Sequence, residues 1–117
     1  MAAMAAILAT VAVGVVSVGV VFAARSQAVA AADAAALAAA VASYPPAATS
    51  GPGLVAASMA QANGAKLVSC VCHVNWSLEK RVVTVIVTIP LEAPILGTLS
   101  IRAGARAEFD PALWLGR

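Results

Sequence analysis

Residues 5–24 read AAILATVAVGVVSVGVVFAA, and residues 25–43 continue as RSQAVAAADAAALAAAVAS. No charged side chain occurs before Arg25, so the first stretch is about long enough to cross a hydrocarbon core of roughly 30 Å as one helix. Lipid offers the backbone no partner, so valine's modest helix propensity in water is no obstacle there. The second stretch is dominated by alanine, the best helix former, with no Gly or Pro. Tyr44-Pro45-Pro46 stops it, because the residue before proline is pushed out of the helical region. The sequence therefore predicts one continuous helix of roughly 60 Å from near Met1 to about Ser43. Half of it is expected in lipid as a retained anchor and half projecting. A cleaved signal peptide is the second reading, although it would want a basic n-region.

Gly14 and Gly19 are small positions at which another helix can come close. On the projecting half, Ala35 and Leu37 are candidate packing positions. Asp33 stands alone in AADAAALAAA, where it faces water or pairs with a cation on a neighbouring chain. Arg25 is too far from it for an i,i+4 pair.

Composition narrows the function classes. Hydrophobic residues make up 62% of the 117 and charged residues 10%, far below the roughly one quarter typical of soluble domains. The seven Lys and Arg residues are scattered, and a net charge of +2 gives nucleic-acid binding no electrostatic footprint.

After the helix, residues 45–53 form a Pro/Gly/Ser/Thr loop. Leu54–Ala62 is a short helix, with Leu54, Val55, Ser58, Met59 and Ala62 on one stripe. Asn63-Gly64 ends it. The period then changes to 2. Val68–Trp76 places Val68, Cys70, Cys72, Val74 and Trp76 on one strand face and Leu67, Ser69, Val71, His73 and Asn75 on the other. Arg81–Ile89 is the strongest strand, ended by Pro90. Leu91–Gly97 is a loop containing Pro94, and Thr98–Ala107 is a third strand. The expected fold is α+β: a long N-terminal transmembrane helix extending into a short helix and a three-stranded antiparallel sheet. The expected units are an anchor at 1–24, a projecting helix at 25–44, the loop at 45–53, a small domain at 54–110 and a tail at 111–117. The amphipathic FDPALW of residues 109–114 docks on the domain or lies at an interface.

Chemistry is sparse. Cys70, Cys72 and His73 form C-x-C-H, but zinc wants four ligands and no second pair exists. On a strand His73 also points away from both thiols, which removes the Cys–His nucleophile reading as well. Cα atoms two apart on a strand stand nearly 7 Å apart, so the expectation for Cys70 and Cys72 is two reduced, buried thiols, with an intermolecular disulfide as the alternative in an oxidising compartment. No catalytic, metal-binding or cofactor-binding set emerges.

The order of these pieces resembles the TadE-like family, in its short branch encoded beside helicase and Tad-type secretion genes. The resemblance rests on ARSQAVAAADAAALAAA (24–40), ANGAKLVSC (62–70), VVTVIVTIPL (82–91) and IRAGARA (101–107), and it covers nearly the whole chain. It implies a pseudopilin-like or minor pilin-like protein, anchored in the cell membrane, with its C-terminal domain outside the cytoplasm. Such proteins are not enzymes. Their partners are other components of a Tad or Flp pilus or secretion system, membrane lipid and further copies of the chain. Relatives often carry one cysteine before the short helix and another at the position of Cys70. Here residues 51–54 read GPGL, with no cysteine. Pilins proper carry a Gly-Glu pair near their cleavage site, and this chain has no Glu before Glu79.

Overall fold

A computed structural model of the chain describes residues 2–93 and 97–116. A single helix, α1 (Ala2–Ala42), leads into a 3₁₀ turn at Pro45–Ala47 and a second helix, α2 (Pro52–Ala62). Three strands follow: β1 (Lys66–Val71), β2 (Arg81–Ala93) and β3 (Gly97–Phe109), and a one-turn helix α3 (Pro111–Trp114) closes the chain. The sheet is antiparallel in the order β1-β2-β3. This is the α+β architecture expected from the sequence. The molecule is a rod, 72 × 23 × 17 Å.

The core lies between the C-terminal half of α1 and one sheet face. Ala28, Ala31, Ala32, Ala35, Ala36, Ala39 and Ala40 meet Val83, Val85, Val87 and Ile89, and Ala56 and Ala60 of α2 complete it. Every fully buried contributor from the two helices is alanine, and Met59 of α2 packs partly buried against them. Methyl groups let the helices sit close to each other and to the sheet, and the strands supply the volume.

That choice corrects the expected stripe of α2. Leu54 is 69% exposed and Ser58 and Ala62 are exposed, whereas Pro52, Ala56 and Ala60 are buried. The alanine face of α1 takes the small residues of α2 most closely, while Met59 of the expected stripe stays partly buried at the edge of the core. A second correction concerns β1. Its register slips between Leu67↔Val87 and Ser69↔Ile86, leaving Val68 as the extra residue of a bulge. Leu67 and Cys70 consequently face the core together, against the expected division of faces. The strand also ends at Val71, so Cys72, His73, Val74 and Trp76 lie outside it.

β2 continues through Pro90 to Ala93, paired with β3 throughout. The β1 ladder stops at Thr88, so Pro90 sits where one edge of β2 is open and a missing N–H breaks no ladder bond. The expected turn around Pro94 lies outside the described residues. Beyond Thr88 the β2–β3 ladder runs on alone, with Ile89–Ala93 against Gly97–Ile101.

Heights along the rod follow from three contacts. At the far end, Arg81 bonds the Ser43 carbonyl at 3.3 Å and Phe109 packs on Tyr44. Nearer the N-terminus, the Gln27 amide donates to the Asn63 carbonyl at 3.1 Å, level with the start of β1. At about 3.3 Å per strand residue and 1.5 Å per helix residue, the last β2–β3 pair stands near position 17 of α1. Ser17 is 4% exposed and shares the helix face of Ala24 and Ala28, which fits that placement. Its hydroxyl has no hydrogen-bond partner among the described residues.

Candidate interaction surfaces and the Arg81 clamp

The two halves of α1 present different surfaces. Residues 4–22 expose Met4, Ile7, Leu8, Val11, Val15, Val18 and Phe22 along one helix face, and Val13 and Val16 on other sides. The most apolar window of the helix has a mean hydropathy of 2.5, and α1 is long and apolar enough to cross a membrane. The second half buries its alanine face in the domain and turns Val29, Asp33, Leu37 and Val41 outward at four-residue spacing.

The candidate packing residues divide accordingly. Gly14 is partly buried, one turn before Ser17, and Gly19 is exposed on another side, so the two do not form one seam. Asp33 is exposed. Leu37, one turn further, is 62% exposed and available to another molecule. Ala35 is fully buried within the domain core, so the packing position it offers is filled within the chain by the sheet and α2. The helix phase explains it: Ala35 lies on the side of Ala28 and Ala39, nearly opposite Asp33 and Leu37.

Cys70 and Cys72 are joined as a disulfide, with Cα atoms 5.3 Å apart. The expectation of reduced thiols took both residues to be in an extended strand. Because β1 ends at Val71, Cys72 leaves that repeat and the separation falls within the bridging range. His73 is exposed beside the bridge. Among the described residues no three His, Cys, Asp or Glu side chains gather where they could hold a metal.

Sequence reasoning missed Arg81. It is 9% exposed, and its guanidinium donates to main-chain carbonyls alone. Nε reaches Glu79 at 3.1 Å, Nη1 reaches Ser43 and Asn75 at 3.3 and 2.6 Å, and Nη2 reaches Glu79 at 2.7 Å and also Ser77. The Asn75 N–H donates to the same Ser43 carbonyl at 2.8 Å. Its carbon Cζ lies 5.6 Å from the centre of the Tyr44 ring. The charge thus sits at the C-terminal, negative end of the long α1 dipole and folds the 75–79 turn around itself. Only a planar fork with five donors satisfies this set, which a lysine could not. Around it Tyr44, Phe109 and Trp114 form an aromatic cluster with centroids 6.3–6.4 Å apart. The tail therefore docks on the domain. Asp110 caps α3 by accepting from the Ala112 N–H at 3.0 Å.

Lys80 and Glu108 pair across the outer sheet surface at 3.0 Å, both well exposed. The hydrogen bond and the charge of Glu108 raise the Lys80 pKa above its ordinary value.

Comparisons with protein-family models, with curated proteins and with solved structures return no match to this chain.

Proposed function

We propose that this protein is a membrane-anchored, pseudopilin-like or minor pilin-like subunit of a Tad or Flp pilus assembly or secretion system, acting through helix packing and domain contacts rather than catalysis. The observation that carries the anchored reading is the single unbroken helix. Its first half exposes large aliphatic side chains over all but the side of Ser17, and its second half is the spine of the domain. The order of sequence pieces that resembles the TadE-like family supports the pilus reading. The same resemblance favours an extracytoplasmic domain, although Arg25 alone would favour the cytoplasmic side.

The outward stripe Val29, Asp33, Leu37 and Val41 continues the lipid-facing surface above the bilayer. It is the surface offered to neighbouring subunits. A secreted binding protein with a cleaved leader is the second reading. Against it, Ser17 and Ala24 are buried on the sheet side, so cleavage after Ala24 would uncover the end of the hairpin.

The test combines three readouts on the full chain. Carbonate-resistant membrane association, an intact mass that includes residues 1–24, and co-purification with pilus components that Leu37→Lys abolishes would uphold the reading. A mature chain starting after Ala24 would overturn the anchor. Co-purification unchanged by Leu37→Lys would overturn the assigned surface. Sidedness is read by labelling a Ser77→Cys variant in intact cells with a membrane-impermeant maleimide. Protection until lysis would place the domain inside.

A further inference from the structure

Two exposed surfaces of this molecule match each other. The first is the outward stripe Val29, Asp33, Leu37 and Val41 of α1. The second is the sheet face turned away from the core. Val83, Val85, Val87 and Ile89 face the core, so Val82, Thr84, Ile86 and Thr88 of β2 face outward. Their partners on β3 are, in turn, Glu108, Arg106, Gly104 and Arg102. Arg102 and Arg106 are exposed, and Lys66 stands beside Thr88 on its other side. Glu108 is engaged by Lys80, and Glu92 stands about 13 Å beyond Thr88 along β2. The middle of this face is therefore cationic, whereas Asp33 is the one charge on the stripe. None of Asp33, Arg102 and Arg106 makes an ion pair among the described residues.

The two surfaces also agree in height and in spacing. The bond from Arg81 to the Ser43 carbonyl sets a common level at the far end of the rod. Below it, Val41, Leu37, Asp33 and Val29 descend α1 at about 3, 9, 15 and 21 Å. Val82, Thr84, Ile86 and Thr88 descend β2 at about 3, 10, 17 and 23 Å. Every fourth helix residue thus falls level with every second strand residue. Asp33 comes level with the Ile86–Gly104 pair, between Arg106 above and Arg102 below. Gly104 leaves a notch there: a Cβ added to it would stand 3.8 Å from Ile86 Cγ1.

We propose that copies of this chain pack the α1 stripe of one onto the outer sheet face of the next, seating Asp33 over Gly104 between Arg102 and Arg106. The inference rests on the anchored reading above, because parallel anchors in one membrane hold all copies at one height. Charge selects this arrangement over the two symmetric ones. Stripe against stripe would set Asp33 against Asp33, and sheet against sheet would set the arginines against one another. The mixed contact joins opposite charges and covers Leu37 and Val82, both exposed in the single chain. It is heterologous, so each copy in contact keeps one stripe or one sheet face free, and further copies add in a row.

The test uses the full chain in phosphatidylcholine vesicles, with donor or acceptor dyes on Ser58→Cys, an exposed position of α2. The parent should show energy transfer above the random level, weakening as salt rises. Asp33→Arg in one chain, and Arg102→Glu with Arg106→Glu in another, should each raise the density for half-maximal transfer about tenfold or more. Mixed together, the two variants should associate again, because each brings the surface that the other has lost. Transfer that survives either variant, or a mixture that stays apart, would overturn the interface. In particular, a stripe-on-stripe contact would leave the sheet variant associating as the parent does. Chain that resists a carbonate wash yet shows only random transfer would overturn the interface alone. Chain that washes off would overturn the anchored reading and the interface with it. All three substituted residues are exposed, and unchanged circular dichroism confirms that the variants are folded.

Discussion

The two halves of α1 differ less in hydrophobicity than in side-chain size, and that difference decides what each half touches. Residues 2–23 mix Ala with Val, Ile, Leu, Met and Phe, and almost all of them are exposed. Residues 24–42 are mostly Ala, and one face of them is buried. Bulky aliphatic surface is well matched by fluid lipid, which adapts to any shape. Methyl groups suit a fixed partner that can come close, here the valine face of β2 and the alanines of α2. On the anchored reading, one helix therefore changes its surroundings part-way along without a break in its backbone.

The sharpest way to break this division is to put bulk into the close-packed half. Ala35→Trp should cost about 3 kcal/mol or more by overpacking, and should unfold the domain rather than selectively block assembly. Loss of the cooperative thermal transition checks it. An unchanged transition would mean that the α1–sheet contact is loose. In the lipid half, Val15→Asp should cost about 3 kcal/mol of insertion and release chain from carbonate-washed membranes, with the domain still folded. Arg81→Met tests where the second half ends. It leaves the carbonyls of Asn75, Ser77 and Glu79 without the guanidinium, and should cost about 2–3 kcal/mol, read as a lower Tm. Arg81→Lys should rescue only part of that loss.

Smaller effects sharpen the comparison at its surface. Leu37→Lys should change stability by no more than about 0.5 kcal/mol, because the side chain faces outward. Any loss of co-purification then belongs to the interface. Smallest of all is the Lys80–Glu108 pair. Its raised lysine pKa is a stabilisation fully present below the unfolded value of 10.5, and lost as pH rises through the higher folded value. Glu108→Gln should therefore lose this small stabilisation at every pH below 10.5 and flatten the decline that the pair contributes above it, so that variant and parent converge at high pH. Superimposable pH profiles would show that the pair does not form in solution.

The legible parts of the fold were those written as long periodic patterns. The uncharged run, the alanine run, the proline stop and the change from a period near 3.6 to 2 each span many residues and survive local irregularities. The illegible parts hinge on single residues. One bulge at Val68 exchanged the faces of β1 on either side of it. The end of β1 at Val71 brought Cys70 and Cys72 within bridging distance. In α2 the large residues suggested one stripe, but the alanine surface of α1 had already determined which residues fit. Arg81 read as the first residue of a strand, because its acceptors are main-chain carbonyls that no side-chain pattern announces. Among the candidate site residues, Leu37 and Asp33 were legible as outward positions of a helix. Ala35 was not, since only the tertiary packing separates the inner alanines from the outer ones.

The central claim is that α1 passes from lipid into protein within one unbroken helix. It is tested most directly by nitroxide labels at Val15→Cys, Val18→Cys and Leu37→Cys, in a background of Cys70→Ser and Cys72→Ser, with the full chain in vesicles. The account predicts that Val15 and Val18, one turn apart on the same helix face, are both reached by oxygen and shielded from a water-soluble nickel complex, whereas Leu37 is open to nickel. Nickel access at Val15 and Val18 equal to that at Leu37 would contradict it.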